Sequence, residues 1–168
     1  VAKQCIKLYI KKGSYVISAS RNLKSLENFA DENHLNQSKF EIKYFDATDF
    51  SSHQYFYDEL PVKPNIVVYS AGFLVENQEA LRNFEGTFEM MKTNYIGAVS
   101  ILNIIVTDQS NKNLKRIIGL SSLSGVRGRK SNFVYGSTKS AFTQYLAGLR
   151  QELASRKITV NVLVIGYI

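Results

Sequence analysis

Cysteine is almost missing from this sequence. Cys5 stands alone, so no internal disulfide can form, and a reducing compartment is the expected setting. Two prolines and ten glycines leave no Pro- or Gly-rich linker, and no internal repeat or low-complexity segment divides the chain. With 168 residues, 45% of them hydrophobic, the expectation is one domain over residues 1–168 with a sizeable core. No apolar run approaches the ~20 residues of a membrane-spanning helix, and no charged-then-apolar leader opens the sequence, so a cytoplasmic location is expected. His34 and His53 are isolated, without cysteines or carboxylates at ligand spacing, which argues against a metal site. Acids are the scarcer charge, 14 against 21 Lys and Arg, for a net charge of +7. The basic residues fall in short groups, Lys11-Lys12, Lys112/Lys115/Arg116 and Arg127/Arg129/Lys130, without the interleaved aromatics of a nucleic-acid surface. They read as a solvated face, and no nucleic-acid partner is expected.

What is present alternates. The chain opens in a helical pattern, with Val1, Cys5, Leu8 and Tyr9 at helix spacing and Gly13 as its stop. The uncharged run SYVISAS (14–20) reads as a strand, and a helix through Leu23, Leu26, Phe29 and Ala30 follows. KFEIKYF (39–45), NIVVYSAG (65–72), LKRIIGLSS (114–122) and ITVNVLVI (158–165) are further strands. Helical stretches lie between them: part of 46–60, then 77–108, and a long helix from Phe133 to about Arg156 with Phe142, Tyr145, Leu146, Leu149 and Leu153 on one stripe. Strands that are nearly all apolar and separated by helices predict a parallel sheet covered on both faces, a doubly wound α/β domain in three α/β/α layers. In such domains ligands bind beyond the carboxyl ends of the strands.

The residues at those ends are therefore the candidates. Ser20 and Arg21 follow the first strand, where a small residue and an arginine can accept a ribose 2′-phosphate; a helix cap with a solvated arginine fits the same residues. Asp46 and Ala47 follow the second, where Asp46 suits either an adenine edge or the cap of the next helix. Ser70, Ala71 and Gly72 follow the third; small residues there permit close approach of a ligand, and equally a simple turn. Ser121 and Ser122 end the fourth. Tyr135 and Lys139, four apart, share one helix face. A phenol beside an ammonium suits alcohol–ketone interconversion, because the ammonium favours the phenolate and brings the phenol toward a range where it can exchange a proton with a carbonyl oxygen. A serine hydroxyl aimed at the same oxygen would stabilise its developing charge.

With these residues in order, the chain resembles the short-chain dehydrogenase/reductase family, a Rossmann-like fold. Ser122 precedes Tyr135 by thirteen positions, Lys139 follows by four, and Asn94 in MKTNYIGA matches the asparagine that completes the family's tetrad. The resemblance implies catalytic roles for Ser122, Tyr135, Lys139 and Asn94, with Lys139 also bonding the nicotinamide ribose and the Asn94 backbone holding a water. It implies that Ser20, Arg21, Asp46, Ala47, Ser70, Ala71, Gly72, Tyr135, Lys139 and Gly166 line the cofactor. Arg21 favours NADP(H) over NAD(H), the substrate is a small carbonyl or alcohol compound, and the assembly is a homodimer or homotetramer. RKSNFVYGSTKSAF with YSAG is also similar to the reductase subfamily that acts on a polyprenyl-phosphate-linked keto-sugar, which makes a keto-sugar or lipid-linked sugar the expected substrate.

Three features depart from the family pattern. Tyr69-Ser70-Ala71-Gly72 replaces Asn-Asn-Ala-Gly, Ile165-Gly166 replaces Pro-Gly, and the first strand with its glycine-rich turn is absent, so the sequence is expected to be a fragment of a longer chain. The alternative reading is a dinucleotide-binding regulator of the same fold without turnover. Against it, a regulator has no need to keep Ser122, Tyr135 and Lys139.

Overall fold

A computed structural model describes residues 1–166. It divides into two compact units, residues 1–46 and 47–166, and every strand pairing in each is parallel.

In the first unit, α1 (Ala2–Lys11) leads to β1 (Val16–Ser20), then α2 (Leu23–Glu32) and β2 (Phe40–Tyr44), which pairs with β1 from Val16 opposite Phe40 to Ser20 opposite Tyr44. Asn22, rather than Ser20, caps α2, its Oδ1 accepting from Ser25 N at 2.9 Å; Ser20 Oγ accepts from Asn22 N at 3.1 Å. The small core is Ile6, Phe29 and Phe40, with Ile10, Val16 and Ile42 packed against it. The apolar stripe of α1 therefore runs through Ile6 and Ile10, not through Val1 and Leu8, which are exposed. On so short a helix two stripes satisfy the spacing, and packing selects the β-branched one.

The second unit opens with a 3₁₀ turn at Phe50–Ser52 and α3 (His53–Asp58), followed by β3 (Ile66–Tyr69). The helical region expected over 77–108 is broken. It comprises α4 (Asn77–Arg82), capped by the Glu76 carboxylate, then α5 (Phe84–Met91), capped by Asn83 in an extended conformation, a π-helical turn at Lys92–Ile96, and α6 (Gly97–Thr107). β4 (Arg116–Ser122), α7 (Phe133–Glu152) and β5 (Thr159–Ile165) complete it, with sheet order β3-β4-β5. Helices between successive parallel strands make this an α/β, Rossmann-like fold.

The core sits where α6 and α7 meet the sheet: Leu102, Ile117, Phe142 and Leu146 are fully enclosed. Gly119 of β4 lets α7 approach, since a Cβ there would lie 2.3 Å from Leu146 Cδ1 and 2.8 Å from Phe142 Cζ. The stripe of α7 is thus spent on the chain's own sheet, and Tyr145 donates to Asn103 Oδ1 at 2.8 Å. β5 is less covered than its apolar sequence suggests, with Leu163 and Val164 exposed.

Candidate active site

The serine pair at the end of β4 illustrates how the backbone sorts the site. Side chains alternate along a strand. Ser121 turns inward, where its hydroxyl donates to Lys139 O at 3.2 Å and pairs with Thr143 Oγ1 at 2.7 Å. Ser122 turns the other way and caps the 3₁₀ turn Leu123–Gly125 by accepting from Ser124 N at 3.2 Å, on the side of the phenol of Tyr135, whose pKa it lowers.

Tyr135 lies in the first turn of α7, and several contacts hold that turn. Gly136 rests on the backbone of the β4–α7 connection so closely that a Cβ would meet Ser124 O at 2.3 Å. Asn132 Nδ2 donates to Ser124 Oγ at 2.8 Å, drawing the two ends of the connection together. Asn77, a buried residue of α4, accepts from Val134 N at 3.2 Å and donates to Lys130 O at 3.4 Å. Nothing in the sequence marks Asn77, whose partners lie more than fifty positions downstream.

Lys139, one turn beyond Tyr135, is only 4% exposed. Its Nζ donates to Leu120 O at 3.2 Å and stands 5.9 Å from the centroid of the Tyr135 ring. Burial lowers its pKa from the ordinary lysine value to about 8. The expected lowering of the phenol by this ammonium is not what the geometry gives. Burial pushes Tyr135 above its ordinary value, opposed only by the weaker influence of the Ser122 hydroxyl. Desolvation penalises both charged forms, and Lys139 aims its ammonium at a carbonyl instead of the phenol oxygen.

Asn94 sits in the π turn, a geometry often found where a helix presents a functional group. It is fully buried. Its Oδ1 accepts from Phe73 N at 2.7 Å, and its Nδ2 donates to Phe73 O at 2.8 Å and to Thr138 Oγ1 at 3.0 Å. One amide thus fixes the segment after β3 and ties it to α7 beside Tyr135 and Lys139. Tyr69 supports the same turn from below, donating to Thr93 O at 2.9 Å from a buried position where desolvation raises its pKa. That contact accounts for a tyrosine where the family pattern has an amide.

Gly72 completes the group: a Cβ there would stand 3.5 Å from Lys139 Nζ and 3.7 Å from Asn94 Oδ1. Ser70 is exposed and Ala71 half-buried on the same segment. Gly166 lies at the end of β5, 3.6 Å from Leu123 Cδ1 measured from a built Cβ. Ala47 is buried, with its carbonyl against Gly97 of α6, a packing role that the sequence does not distinguish from a ligand contact. So the second unit brings together Ser122, Tyr135, Lys139, Asn94 and Gly72. Ser20, Arg21 and Asp46 belong to the first unit, where Arg21 is exposed at the end of β1.

A sequence profile of the short chain dehydrogenase family matches residues 1–168. The chain belongs to the short-chain dehydrogenase family. Among its relatives, a protein of Haemophilus influenzae named as a probable NADP-dependent dehydrogenase is 32% identical over 98 residues, 58% of this chain and 39% of its own length. An NADP-dependent 3-hydroxy acid dehydrogenase of Schizosaccharomyces pombe is 25% identical over 153 residues, 86% of this chain and 58% of its own. The serine dehydrogenase of Escherichia coli superposes with a TM-score of 0.86 at 25% identity, over 97% of this chain and 76% of that one. The chain therefore spans about two fifths to three fifths of the length of these two relatives.

Proposed function

We propose that this short-chain dehydrogenase chain carries the catalytic face of an NADP(H)-dependent oxidoreductase that interconverts a ketone and a secondary alcohol. The observation that carries the reading is the gathering of Ser122, Tyr135 and the buried Lys139 at the mouth of β4, with Lys139 Nζ 5.9 Å from the centroid of the Tyr135 ring. The residues fit a nicotinamide nucleoside: an ammonium has three donors, Lys139 spends one on Leu120 O, and the others are available for ribose hydroxyls across the small Gly72. The bound cofactor supplies the hydride. Ser122 donates to the carbonyl oxygen and fixes its position, while Tyr135, a phenol that is protonated at neutral pH even without the upward push of burial, delivers the proton as that oxygen gains charge. Ketone, reduced cofactor and one proton thus become alcohol and oxidised cofactor. In the reverse direction the Tyr135 phenolate takes the hydroxyl proton as hydride leaves.

Arg21, with Ser20 beside it, is the candidate for the 2′-phosphate that separates NADP(H) from NAD(H). Relatives named as NADP-dependent support this choice. Asp46 and Ala47 remain candidates for the adenine end, Ser70, Ala71 and Gly166 for the nicotinamide end, and the Asn94 backbone for a bound water. The substrate proposed from the sequence is a keto-sugar, free or carried on a lipid. A homodimer or homotetramer in the cytoplasm completes the proposal; no helix among the described residues is long and apolar enough to cross a membrane. A regulator that binds dinucleotide without turnover is the competing reading, and the intact Ser122, Tyr135 and Lys139 count against it.

The test is Tyr135→Phe in the full-length protein. Losing one oxygen should leave folding and NADPH binding near normal and lower kcat by at least about 10²-fold, the lower end of what general acid–base groups contribute. Near-normal ketone reduction by this variant would show that another group is the acid.

A further inference from the structure

From Gln109 to Gln151 the sequence contains no aspartate or glutamate. That span includes all of β4, the β4–α7 connection and nearly all of α7, hence Ser122, Tyr135 and Lys139. The connection itself carries Arg127, Arg129 and Lys130, all exposed. The ion pairs among the described residues involve Lys24, Lys43 and Lys92, and none involves these three. Of the two acids that flank Asn77, Glu76 caps α4, accepting from Gln78 N and Glu79 N, and Glu79 lies in its first turn. The same segments expose large apolar side chains: Leu123 at 47%, Val126 at 69% and Phe133 at 43% on the connection, with Phe73 and Leu74 on the segment after β3. Phe73 is joined by its backbone to Asn94, and Leu123 directly follows Ser122, so these side chains stand next to the proposed reaction centre.

Neither property is idle surface. Exposed apolar groups gathered beside a site mark a binding surface, and cations without an ion-pair partner on the same connection create a field that draws anions. The connection is also held in place, closed by Asn132 on Ser124 and fastened at Lys130 and Val134 by Asn77. A second copy of the chain is a poor occupant, since two acid-free faces would repel.

We propose that residues 123–133 form a recognition arm for an anionic amphiphile: a substrate whose apolar chain lies on Leu123, Val126 and Phe133 and whose phosphate or carboxylate is held by Arg127, Arg129 and Lys130. The placement of a reacting ketone beside the arm rests on the oxidoreductase reading above; the binding of the amphiphile does not.

The experiment therefore has two parts, both on the full-length protein. Calorimetry with decyl phosphate, butyl phosphate, decan-1-ol, decanoate and inorganic phosphate reads binding alone. Decyl phosphate should bind at least tenfold more tightly than butyl phosphate, at about 0.8 kcal/mol per buried methylene, and more tightly than decan-1-ol or inorganic phosphate. Comparison with decanoate tells phosphate from carboxylate as the preferred head. The triple change Arg127→Ala, Arg129→Ala, Lys130→Ala should weaken decyl phosphate by roughly tenfold to a hundredfold, as expected for three partly exposed charges, and should flatten its salt dependence. Arg127→Lys with Arg129→Lys should retain binding. The second part compares kcat/KM for 3-oxodecanoate and decan-2-one with NADPH; the ratio should fall in the triple variant. Equal binding of decyl phosphate by wild type and triple variant, or of decan-1-ol and decyl phosphate by wild type, overturns the proposal. Charge-dependent binding without reduction of either ketone would support the arm and count against the oxidoreductase reading instead.

Discussion

Lys139 holds a proton at some cost. Its folded pKa of about 8, against 10.5 for an ordinary lysine, means that burial disfavours the ammonium and that the unfolded chain binds more protons between those two values. Stability from this group is therefore complete above 10.5 and is lost as pH falls through about 8. The difference is about 3 kcal/mol at 1.36 kcal/mol per pKa unit. Denaturant melts of full-length wild type and Lys139→Met across pH 7 to 10.5 should differ in slope, wild type gaining on the variant as pH rises. Parallel curves would show that Lys139 keeps an ordinary affinity for its proton. Arg21 is the residue proposed to set cofactor choice. Being exposed, it contributes little to folding, so Arg21→Asp should leave the melt unchanged while moving the NADPH-to-NADH ratio of kcat/KM toward NADH, by opposing the 2′-phosphate charge. An unmoved ratio would make it a solvated side chain.

Among the elements, α7 ties the chemistry to the connection before it. At Gly136 an added methyl group meets a backbone carbonyl, Ser124 O, which cannot rotate away as a side chain can. Gly136→Ala should therefore displace the first turn of α7 against Ser122, lowering turnover at least tenfold while costing only about 1–3 kcal/mol of stability. Gly119→Ala meets the tips of Leu146 and Phe142, side chains of the core, and should cost similar stability with little effect on turnover. Kinetics and melts of the two variants side by side check the contrast. The same elements show what a sequence can reveal. All five strands are legible, four of them to within about two residues and the third running three residues too far at its end, where Ser70-Ala71-Gly72 leave the sheet, because their apolar or alternating runs have no helical period. The π turn around Asn94 is not, because its widened register leaves no compositional trace, and neither is Asn77, whose value depends on contacts far along the chain. Ser122, Tyr135 and Lys139 are legible because their spacing is local to one strand and one helix. The direction of the Tyr135 shift is not, since it depends first on how deeply the fold buries the phenol.

For the molecule as a whole, the surplus of positive charge is read correctly from composition in amount but not in arrangement. The groups Arg127/Arg129/Lys130 are exposed, as a solvated face would be, and they lie within an acid-free run from 109 to 151 that also includes Ser122 and Tyr135, the two hydroxyls proposed to act on the substrate. The parallel α/β architecture is likewise legible, whereas the division into two units is not, since no linker composition marks residue 46. The fastening of the β4–α7 connection at Ser124, Lys130 and Val134 has a bearing on descent. Its tip, residues 126–129, has no side-chain hydrogen bonds to the rest of the chain among the described residues, so substitutions there can accumulate without disturbing the serine or the tyrosine on either side. If the connection recognises the substrate as proposed, lineages sharing the proposed reaction are free to diverge in what they act upon by exchanging a few codons, and the tip is where a protein engineer would graft a new preference.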